Sequence, residues 1–202
     1  ELTLDGYLKR GGLQRALERY ADTAFNQLSP DEQEMARGIF KGLVQPGRGT
    51  QDTRRTALFE ELIPPGHGLT EVEIVLRKLA DARLITTEDR EDLPGEDRTA
   101  TLAHERLLEA WPWLRRLVEE NREVIAQANQ IAEDAQRWES NGRDESYLYS
   151  GARLAAAQEG LENGRLALGG LPLEFVNTAS QRQQAERMAR RQRNQRTLAG
   201  LS

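Results

Sequence analysis

The chain has 202 residues, of which 38% are hydrophobic and 30% charged, and its mean hydropathy is −0.71. This composition is typical of a polar, helix-rich protein with one large domain or two small ones. No run of residues approaches the roughly 18 apolar residues of a membrane-spanning helix, and the chain does not start with a secretory signal, so we expect a cytoplasmic location. The absence of cysteine excludes disulfides and thiolate metal sites.

Positive charge is concentrated near the C-terminal end. Residues 181–202 contain six arginines and one glutamate, a net +5, whereas the whole chain carries −5, so the other 180 residues carry −10. A basic segment of this kind binds nucleic acid, lies beside the cytoplasmic face of a membrane, or is the solvated end of a helix. The solvated helix end is the simplest interpretation, because cations are favourable near a helix C-terminus.

The first predicted elements are two helices. Residues 13–28 have apolar side chains spaced three and four apart, which predicts a helix that starts after a break at Gly11-Gly12. Ser29 is the expected N-cap of the next helix, and Pro30, Asp31 and Glu32 suit its first turn.

Residues 30–110 are predicted to form a winged-helix domain. TRRTALF (53–59) is a short β-capable segment, and Thr70 caps the helix TEVEIVLRKLADA. RLITTED and TATLA then read as two strands separated by the turn-rich loop EDLPGEDR. The order helix–strand–helix–helix–strand–loop–strand is that of a winged helix.

Residues 111–202 are predicted to be a helical arm with a basic tail. Apolar residues from Leu114 to Trp138 recur at a spacing of about 3.5, which indicates one long helix with a narrow seam. Pro112 either begins this helix or kinks it. A second helix is expected over about 145–161, and a third begins at GGLPLEF with Pro172 in its first turn. The predicted fold class is mainly α with a minor β component, a winged-helix domain followed by a helical hairpin or three-helix arm.

The sequence contains no recognisable catalytic motif. PGRGTQDT (46–53) has glycines but lacks the Lys–Ser/Thr ending of a phosphate-binding P-loop, and no HExxH or GxSxG pattern occurs. The acidic cluster EDREDLPGED (88–97) lacks the spacing of a calcium loop and is predicted to be a solvated wing. We therefore predict no catalytic residue, no metal site and no enzymatic activity for these residues.

A DNA-binding winged-helix transcription regulator with a helical dimerisation arm is the main alternative. Its recognition helix would be TEVEIVLRKLADARL, which carries three acidic and three basic side chains and precedes an acidic wing. Duplex binding requires a net basic footprint, so these charges disfavour nucleic acid as a partner. In a third alternative the seam from Leu114 to Trp138 pairs between chains and the protein is an oligomerisation scaffold.

The segment TLAHERLLEAW (101–111) places His104 at the junction between a strand and a helix. The start of a helix offers unpaired N–H groups and positive potential, and a neutral imidazole can donate a hydrogen bond to an anion such as phosphate. A histidine that caps the helix or is satisfied inside the core is the alternative. Position alone favours the second interpretation.

Five segments are informative as a set: YLKRGGLQRALERYAD (7–22), QDTRRTALFEEL (51–62), VLRKLADARLIT (75–86), LAHERLLEAWPWLRRLVEENRE (102–123) and GRDESYLYSGARLAAAQ (142–158). Together they resemble the bacterial STAND-type signalling NTPases, in the branch where a P-loop ATPase module precedes WD repeats or a similar sensor array. The resemblance implies that residues 1–29 end the ATPase lid or form a linker helix, and that the arm leads to the sensor.

The resemblance also implies a nucleotide-sensing role for His104. In related NTPases a Met-His-Asp motif at this point of the winged helix contacts the β-phosphate of bound ADP. Here alanine and glutamate replace the methionine and aspartate, so only His104 is carried over. Walker A and Walker B motifs do not occur in this chain, so no cofactor is expected here, and ADP or ATP with Mg²⁺ would belong to the parent protein.

The sequence therefore predicts a non-catalytic regulatory part of a STAND-type signal-transduction NTPase. It would couple the nucleotide state to a downstream sensor or effector. The expected partners are the upstream P-loop ATPase module and the downstream sensor or propeller of the same chain. Self-oligomerisation and a position of the basic tail next to a membrane stay open.

Overall fold

The computed structural model describes residues 4–88 and 98–199. Its helices are α1 (Leu4–Asn26), α2 (Pro30–Gly42), α3 (Leu69–Asp81), α4 (Arg106–Ala110), α5 (Pro112–Glu120), α6 (Arg122–Ser140), α7 (Gly151–Glu162) and α8 (Gly170–Ala199). Its strands are β1 (Val44–Gln45), β2 (Thr53–Arg54), β3 (Ala57–Leu58), β4 (Ile85–Glu88) and β5 (Thr99–Leu102), and 3-10 turns cover Phe59–Leu62 and Glu145–Tyr147. The chain is mainly α with a minor β component, which confirms the predicted fold class.

The first two helices agree with the sequence except at one point. Helix α1 continues through Gly11 and Gly12, so the predicted break there is wrong. Each glycine in a helix interior costs about 1 kcal/mol relative to alanine, a cost that surrounding strong helix formers can offset. Helix α2 starts as predicted, because Ser29 Oγ accepts from Glu32 N at 3.3 Å and Glu32 Oε2 accepts from Ser29 N at 3.0 Å.

The strands form two small antiparallel sheets. Strand β5 lies between β3 and β4, with Ala57 opposite Ala100 and Ile85 opposite Leu102. The single predicted strand over 53–59 is divided, because Thr53–Arg54 pairs instead with β1 in a separate hairpin. The second helix of the predicted order is only the 3-10 turn Phe59–Leu62. The predicted turn-rich loop and acidic wing lie almost entirely in residues 89–97, outside the described residues.

The arm contains the predicted helices with shifted boundaries. Trp111 is extended and Pro112 is the first residue of α5, so this proline begins a helix. The long helix predicted from Leu114 to Trp138 is divided at Asn121, whose side-chain Nδ2 donates to Leu117 O at 2.8 Å. This local hydrogen bond competes with continuation of the helix. Helix α7 starts at Gly151 instead of near 145, and α8 starts at the glycine pair as predicted.

Buried apolar side chains form two clusters that share α6. The first cluster runs from Ala21 to Ile125 and includes the sheet β3–β5–β4, and the second joins α6, α7 and α8 from Ile131 to Ala179. The first cluster also contains Trp111 and Leu114, so its packing extends past residue 110. The residue limits of the predicted domains stay a prediction.

Among the described residues, no helix combines the length and the apolar composition that crossing a membrane requires.

Candidate functional site

His104 lies in the short connection between β5 and α4, and its side chain is exposed. The backbone before it is fixed, because Ala103 N donates to Leu84 O at 3.0 Å and extends the pairing of β5 with β4. The backbone after it turns into α4, where Leu107 N donates to His104 O at 3.1 Å. The buried residues Leu102 and Leu107 on either side hold this connection in place.

The imidazole of His104 has no hydrogen-bond or ionic partner among the residues that the structure describes. A histidine satisfied inside the domain would show such a partner. The structure therefore leaves both ring nitrogens available to a group outside these residues.

The helix after His104 is short. Helix α4 has only five residues, and two N–H groups at its start, those of Leu107 and Leu108, already donate to His104 O and Glu105 O. These two groups are not available to an anion. The nucleotide-sensing role of His104 stays a prediction, and it depends on the imidazole rather than on a helix N-terminus.

An aromatic cluster braces the elements that carry His104. Helix α4 packs against α1, and the buried indole of Trp111 donates to Asp22 Oδ1 of α1 at 2.7 Å. The Trp111 ring stacks on Trp113 with centroids 4.7 Å apart, and Phe40 of α2 meets the Trp111 ring edge-on at 5.3 Å. Trp111 and Trp113 are therefore packing residues. They fix α4, and with it His104, relative to α1 and α2.

The first half of the arm is bound to the β1–β2 hairpin by a polar contact that we call the hairpin joint, formed by Gly47, Asp52, Arg122 and Asn129. Arg122 at the start of α6 donates to both carboxylate oxygens of Asp52, at 2.7 and 2.9 Å, and Asp52 Oδ1 also accepts from Gly47 N at 2.9 Å. The hydrogen bonds from Arg122 lower the pKa of Asp52, and Asp52 raises the pKa of Arg122. A paired, bidentate geometry of this kind fixes orientation as well as distance.

Asn129 completes the hairpin joint two turns further along α6. It is a buried polar residue, 3% exposed, and its Nδ2 donates to Val44 O and to Gln45 Oε1, both at 2.9 Å. A buried side chain that satisfies a strand carbonyl in this way defines one register between α6 and β1.

A second contact joins the arm to the first cluster where α8 begins. A side chain at Gly169 would overlap the carbonyl oxygen of Glu60, and it would lie 2.7 Å from Ile63 O. Gly170 has a positive φ of 47°, which glycine adopts without strain. The two glycines therefore allow α8 to start directly against the Phe59–Leu62 turn.

A partly buried polar network holds α6 against the segment that follows it. The Tyr149 hydroxyl donates to Asp134 Oδ2 at 2.6 Å, and Arg153 donates to the same oxygen at 2.7 Å. Burial and the hydrogen bond to Asp134 raise the pKa of Tyr149. Burial also acts to raise the pKa of Asp134, but hydrogen bonds from Tyr149, Gln130 and Arg153 outweigh it and leave that pKa lowered.

No metal-binding cluster forms around His104 in the part of the chain that the structure describes. Over residues 4–88 and 98–199, no cluster of three or more histidine and carboxylate side chains could hold a metal ion. His67 is in the loop before α3, where its Nδ1 lies 2.9 Å from Glu71 Oε2.

Sequence reasoning missed the hairpin joint. Asp52 and Arg122 are 70 positions apart, and each is an unremarkable charged residue in its own segment. Asn129 is the member of the hairpin joint that local sequence could have indicated. It is a polar residue at helical spacing from the apolar residues Ile125 and Ala132.

The family model for novel STAND NTPase 1 matches residues 1–146 of this chain. The chain therefore belongs to that STAND NTPase family, as the five segments indicated. No curated protein and no solved structure matches it. The matched region includes His104 and the hairpin joint and ends before α7 and α8.

Proposed function

We propose that this chain is a non-catalytic regulatory part of a STAND signal-transduction NTPase, which transmits the nucleotide state of an upstream P-loop ATPase module to a downstream sensor or effector. The observation that carries the proposal is the family match over residues 1–146, a region without a Walker A motif. A part of an NTPase that lacks the phosphate-binding loop and magnesium ligands does not perform phosphoryl transfer by itself.

In this proposal residues 30–110 are a winged-helix module. Its support is the order of elements along the chain, α2, β3, α3, β4 and β5. In the sheet, β5 lies between β3 and β4. The acidic segment between β4 and β5 would be the wing.

His104 is the proposed nucleotide sensor of this module. The support is its exposed imidazole, which has no partner among the described residues, on a backbone held by β-sheet pairing and by α4. A rigid carrier with a free imidazole suits a contact to the phosphate of a nucleotide bound in the preceding module. ADP or ATP with Mg²⁺ would be bound by that module, in the cytoplasm.

The arm is the proposed transmitter. The hairpin joint and the Gly169 contact fasten it to the module at two separated places, and α6 contributes side chains to both hydrophobic clusters. A rotation of the module would therefore move the arm with it, which is a two-state domain rotation biased by the phosphate contact.

The DNA-binding alternative has less support in the structure. Lys78 on α3 is paired with Glu32 of α2 at 2.6 Å, and Arg98 is paired with Glu73 of α3, so two cations near the recognition helix are already neutralised. The oligomerisation alternative also loses support, because the seam residues Leu114, Val118 and Trp138 are buried within the chain itself.

The test measures the nucleotide that stays bound to the purified parent protein. We expect the wild type to retain ADP and His104→Ala to lose it or to become active without a signal. His67→Ala is the matched control, because it removes the other histidine from a loop without a proposed role, and it should retain ADP like the wild type. Equal retention by all three proteins would contradict the sensor assignment.

A further inference from the structure

The tripeptide Asn-Gly-Arg occurs twice in the sequence, at residues 141–143 and at residues 163–165, and both sites are exposed. Asn141 is the C-cap of α6 and Asn163 is the C-cap of α7, and the glycine after each has a positive φ, 68° and 70° respectively. Glycine adopts this conformation without strain and commonly follows the last residue of a helix. The chain therefore presents the same three residues to solvent at two helix ends with nearly the same backbone.

An asparagine followed by a glycine can lose its own side-chain amide. The backbone nitrogen of the glycine, after its proton passes to hydroxide, attacks Cγ of the asparagine and closes a succinimide ring. The bond between Cγ and Nδ2 then breaks, and the nitrogen leaves as ammonia with a proton from water. A further water molecule opens the ring at either carbonyl, which gives aspartate or isoaspartate. Negative charge develops on Oδ1 during the attack, so hydrogen-bond donors at Oδ1 favour the reaction.

The side chain of Asn163 is held in the way that favours this attack. Its Oδ1 accepts from the backbone N of Arg165 at 3.1 Å and from Arg165 Nε at 3.2 Å. Because both partners are donors, the atom between them is the amide oxygen and not the amide nitrogen. Two donors, one of them on a guanidinium, therefore point at the oxygen that becomes negatively charged.

The side chain of Asn141 is held in the opposite way. Its Nδ2, the nitrogen that would leave, donates to Arg137 O at 2.7 Å. The arginine of this tripeptide, Arg143, points away from the asparagine and donates to Glu139 at 2.6 Å and to Glu174 at 2.6 Å. At this site the guanidinium therefore does not act on the asparagine oxygen.

The attacking nitrogen is held equally at both sites. Gly164 N donates to Leu161 O at 3.2 Å, and Gly142 N donates to Glu139 O at 3.1 Å. Either bond has to open before the glycine nitrogen reaches the amide carbon, and the cost is similar because the two bonds are alike. The expected difference in rate therefore comes from the asparagine side chains.

We propose that Asn163 is a site of spontaneous deamidation in the folded protein, and that Arg165 stabilises the charge that develops on its Oδ1. Asn141 is the protected site, because its amide nitrogen is bound to the helix and its arginine is paired elsewhere. The reaction needs no reagent other than water and hydroxide. The inference does not depend on the proposed function, since it concerns only the two helix ends.

Conversion of Asn163 changes the end of α7. A carboxylate there adds negative charge to a helix C-terminus that already carries Glu159 and Glu162, which is an unfavourable position for an anion. Isoaspartate also lengthens the main chain by one methylene group shortly before Leu166, whose buried side chain packs on Gly160. Deamidation at this site therefore weakens the packing of α7 in the second hydrophobic cluster.

The test is incubation of the complete chain at mildly alkaline pH, followed by peptide mass spectrometry that separates the two sites. In the folded protein we expect Asn163 to convert about tenfold faster than Asn141. In concentrated urea the two rates should become equal, because the unfolded chain retains only the shared tripeptide. Equal rates in the folded protein, or a difference that persists in urea, would overturn the proposal.

Two variants separate the donor from the ion pair of Arg165. Arg165→Ala removes the Nε donor but keeps the backbone donor, and it should slow conversion of Asn163 about fivefold without changing the rate at Asn141. Glu159→Gln is the matched control, because it removes the carboxylate 3.6 Å from Arg165 Nη2 and leaves the guanidinium in place. It should convert like the wild type. An unchanged rate in Arg165→Ala, or equal slowing in both variants, would exclude the assigned role of Arg165.

Discussion

Asp52 and Arg122 make the clearest prediction at the scale of single residues. Asp52→Asn keeps an acceptor for Gly47 N but loses the charge that Arg122 pairs with. Because the Arg122 side chain is 42% exposed, we expect the free energy of unfolding to fall by only about 1 kcal/mol at neutral pH. Urea unfolding of the wild type and the variant measures this difference.

The same pair predicts a pH dependence. The pKa of Asp52 is lowered in the folded protein. The contribution of the Asp52 carboxylate to the free energy of unfolding is therefore complete above the unfolded pKa of about 3.9, and it is lost as the pH falls through the folded pKa. The difference between wild type and Asp52→Asn should therefore vanish in acid. Asp81→Asn, at an exposed carboxylate of α3, is the control and should change little. A difference that persists in acid would show that the ion pair is not the cause.

Tyr149 makes the corresponding prediction at alkaline pH. Tyr149→Phe removes the hydrogen bond to Asp134, and we expect a loss of about 1–2 kcal/mol at neutral pH, since the donor is buried. The folded pKa of Tyr149 is raised, so this contribution is complete below the unfolded pKa of about 10 and is lost as the pH rises through the folded value. Tyr147→Phe, at a tyrosine that is 44% exposed, should have no effect in the same urea titrations.

At the residue scale the sequence identified His104 but could not supply its surroundings. Its position between a strand and a helix was readable from local pattern, and the structure places it there. Two features depend on how distant segments pack together: the absence of a partner for its imidazole among the described residues, and the long-range pairs Asp52–Arg122 and Trp111–Asp22. Local sequence patterns do not predict such long-range contacts.

At the scale of elements, we expect alanine substitutions at two glycines to change the stability of the protein in opposite directions. Gly169→Ala places a methyl group against the backbone of Glu60 and Ile63, so α8 must shift from the Phe59–Leu62 turn, at a cost of about 1–3 kcal/mol. Gly38 is inside α2, and a methyl group there would meet no atom within 4 Å. Gly38→Ala should therefore stabilise the protein by about 1 kcal/mol, through helix propensity.

Thermal and urea unfolding of both variants measure these opposite changes. If Gly169→Ala were neutral, α8 would not be docked as described. If both variants were destabilised, the space around α2 would be smaller than the structure shows.

The boundaries of the helices show which local sequence signals determine where a helix starts or ends. The N-cap Ser29 and Pro172 placed two helix starts correctly, because each acts through its own turn, and the helix start at Pro112 is one of the two alternatives that the sequence left open. The apolar period missed the division at Asn121, since the buried residues of α5 and α6 continue one spacing across it. The glycine pair at 11–12 does not end α1, because glycine lowers the stability of a helix without terminating it.

At the scale of the whole molecule, the proposed transmission of the nucleotide state requires that the module and the arm form one body. The sequence suggested a domain followed by an arm, but the extent of the contact between them is a property of the fold. The shared helix α6, the hairpin joint and the Gly169 contact all oppose a hinge between the two clusters. A nucleotide-driven rotation should therefore leave distances within this chain unchanged while distances to the ATPase module change.

The most direct test is a pair of distance measurements in the parent protein with ADP and with ATP bound. One spin-label pair joins cysteines introduced at the exposed positions Thr70 on α3 and Ala155 on α7. Residues 1–202 contain no cysteine that would compete for the label. The other pair joins Thr70 to the ATPase module. We predict a nucleotide-dependent change in the second distance and none in the first. A change between Thr70 and Ala155 would contradict this prediction, because the module and the arm would then move separately.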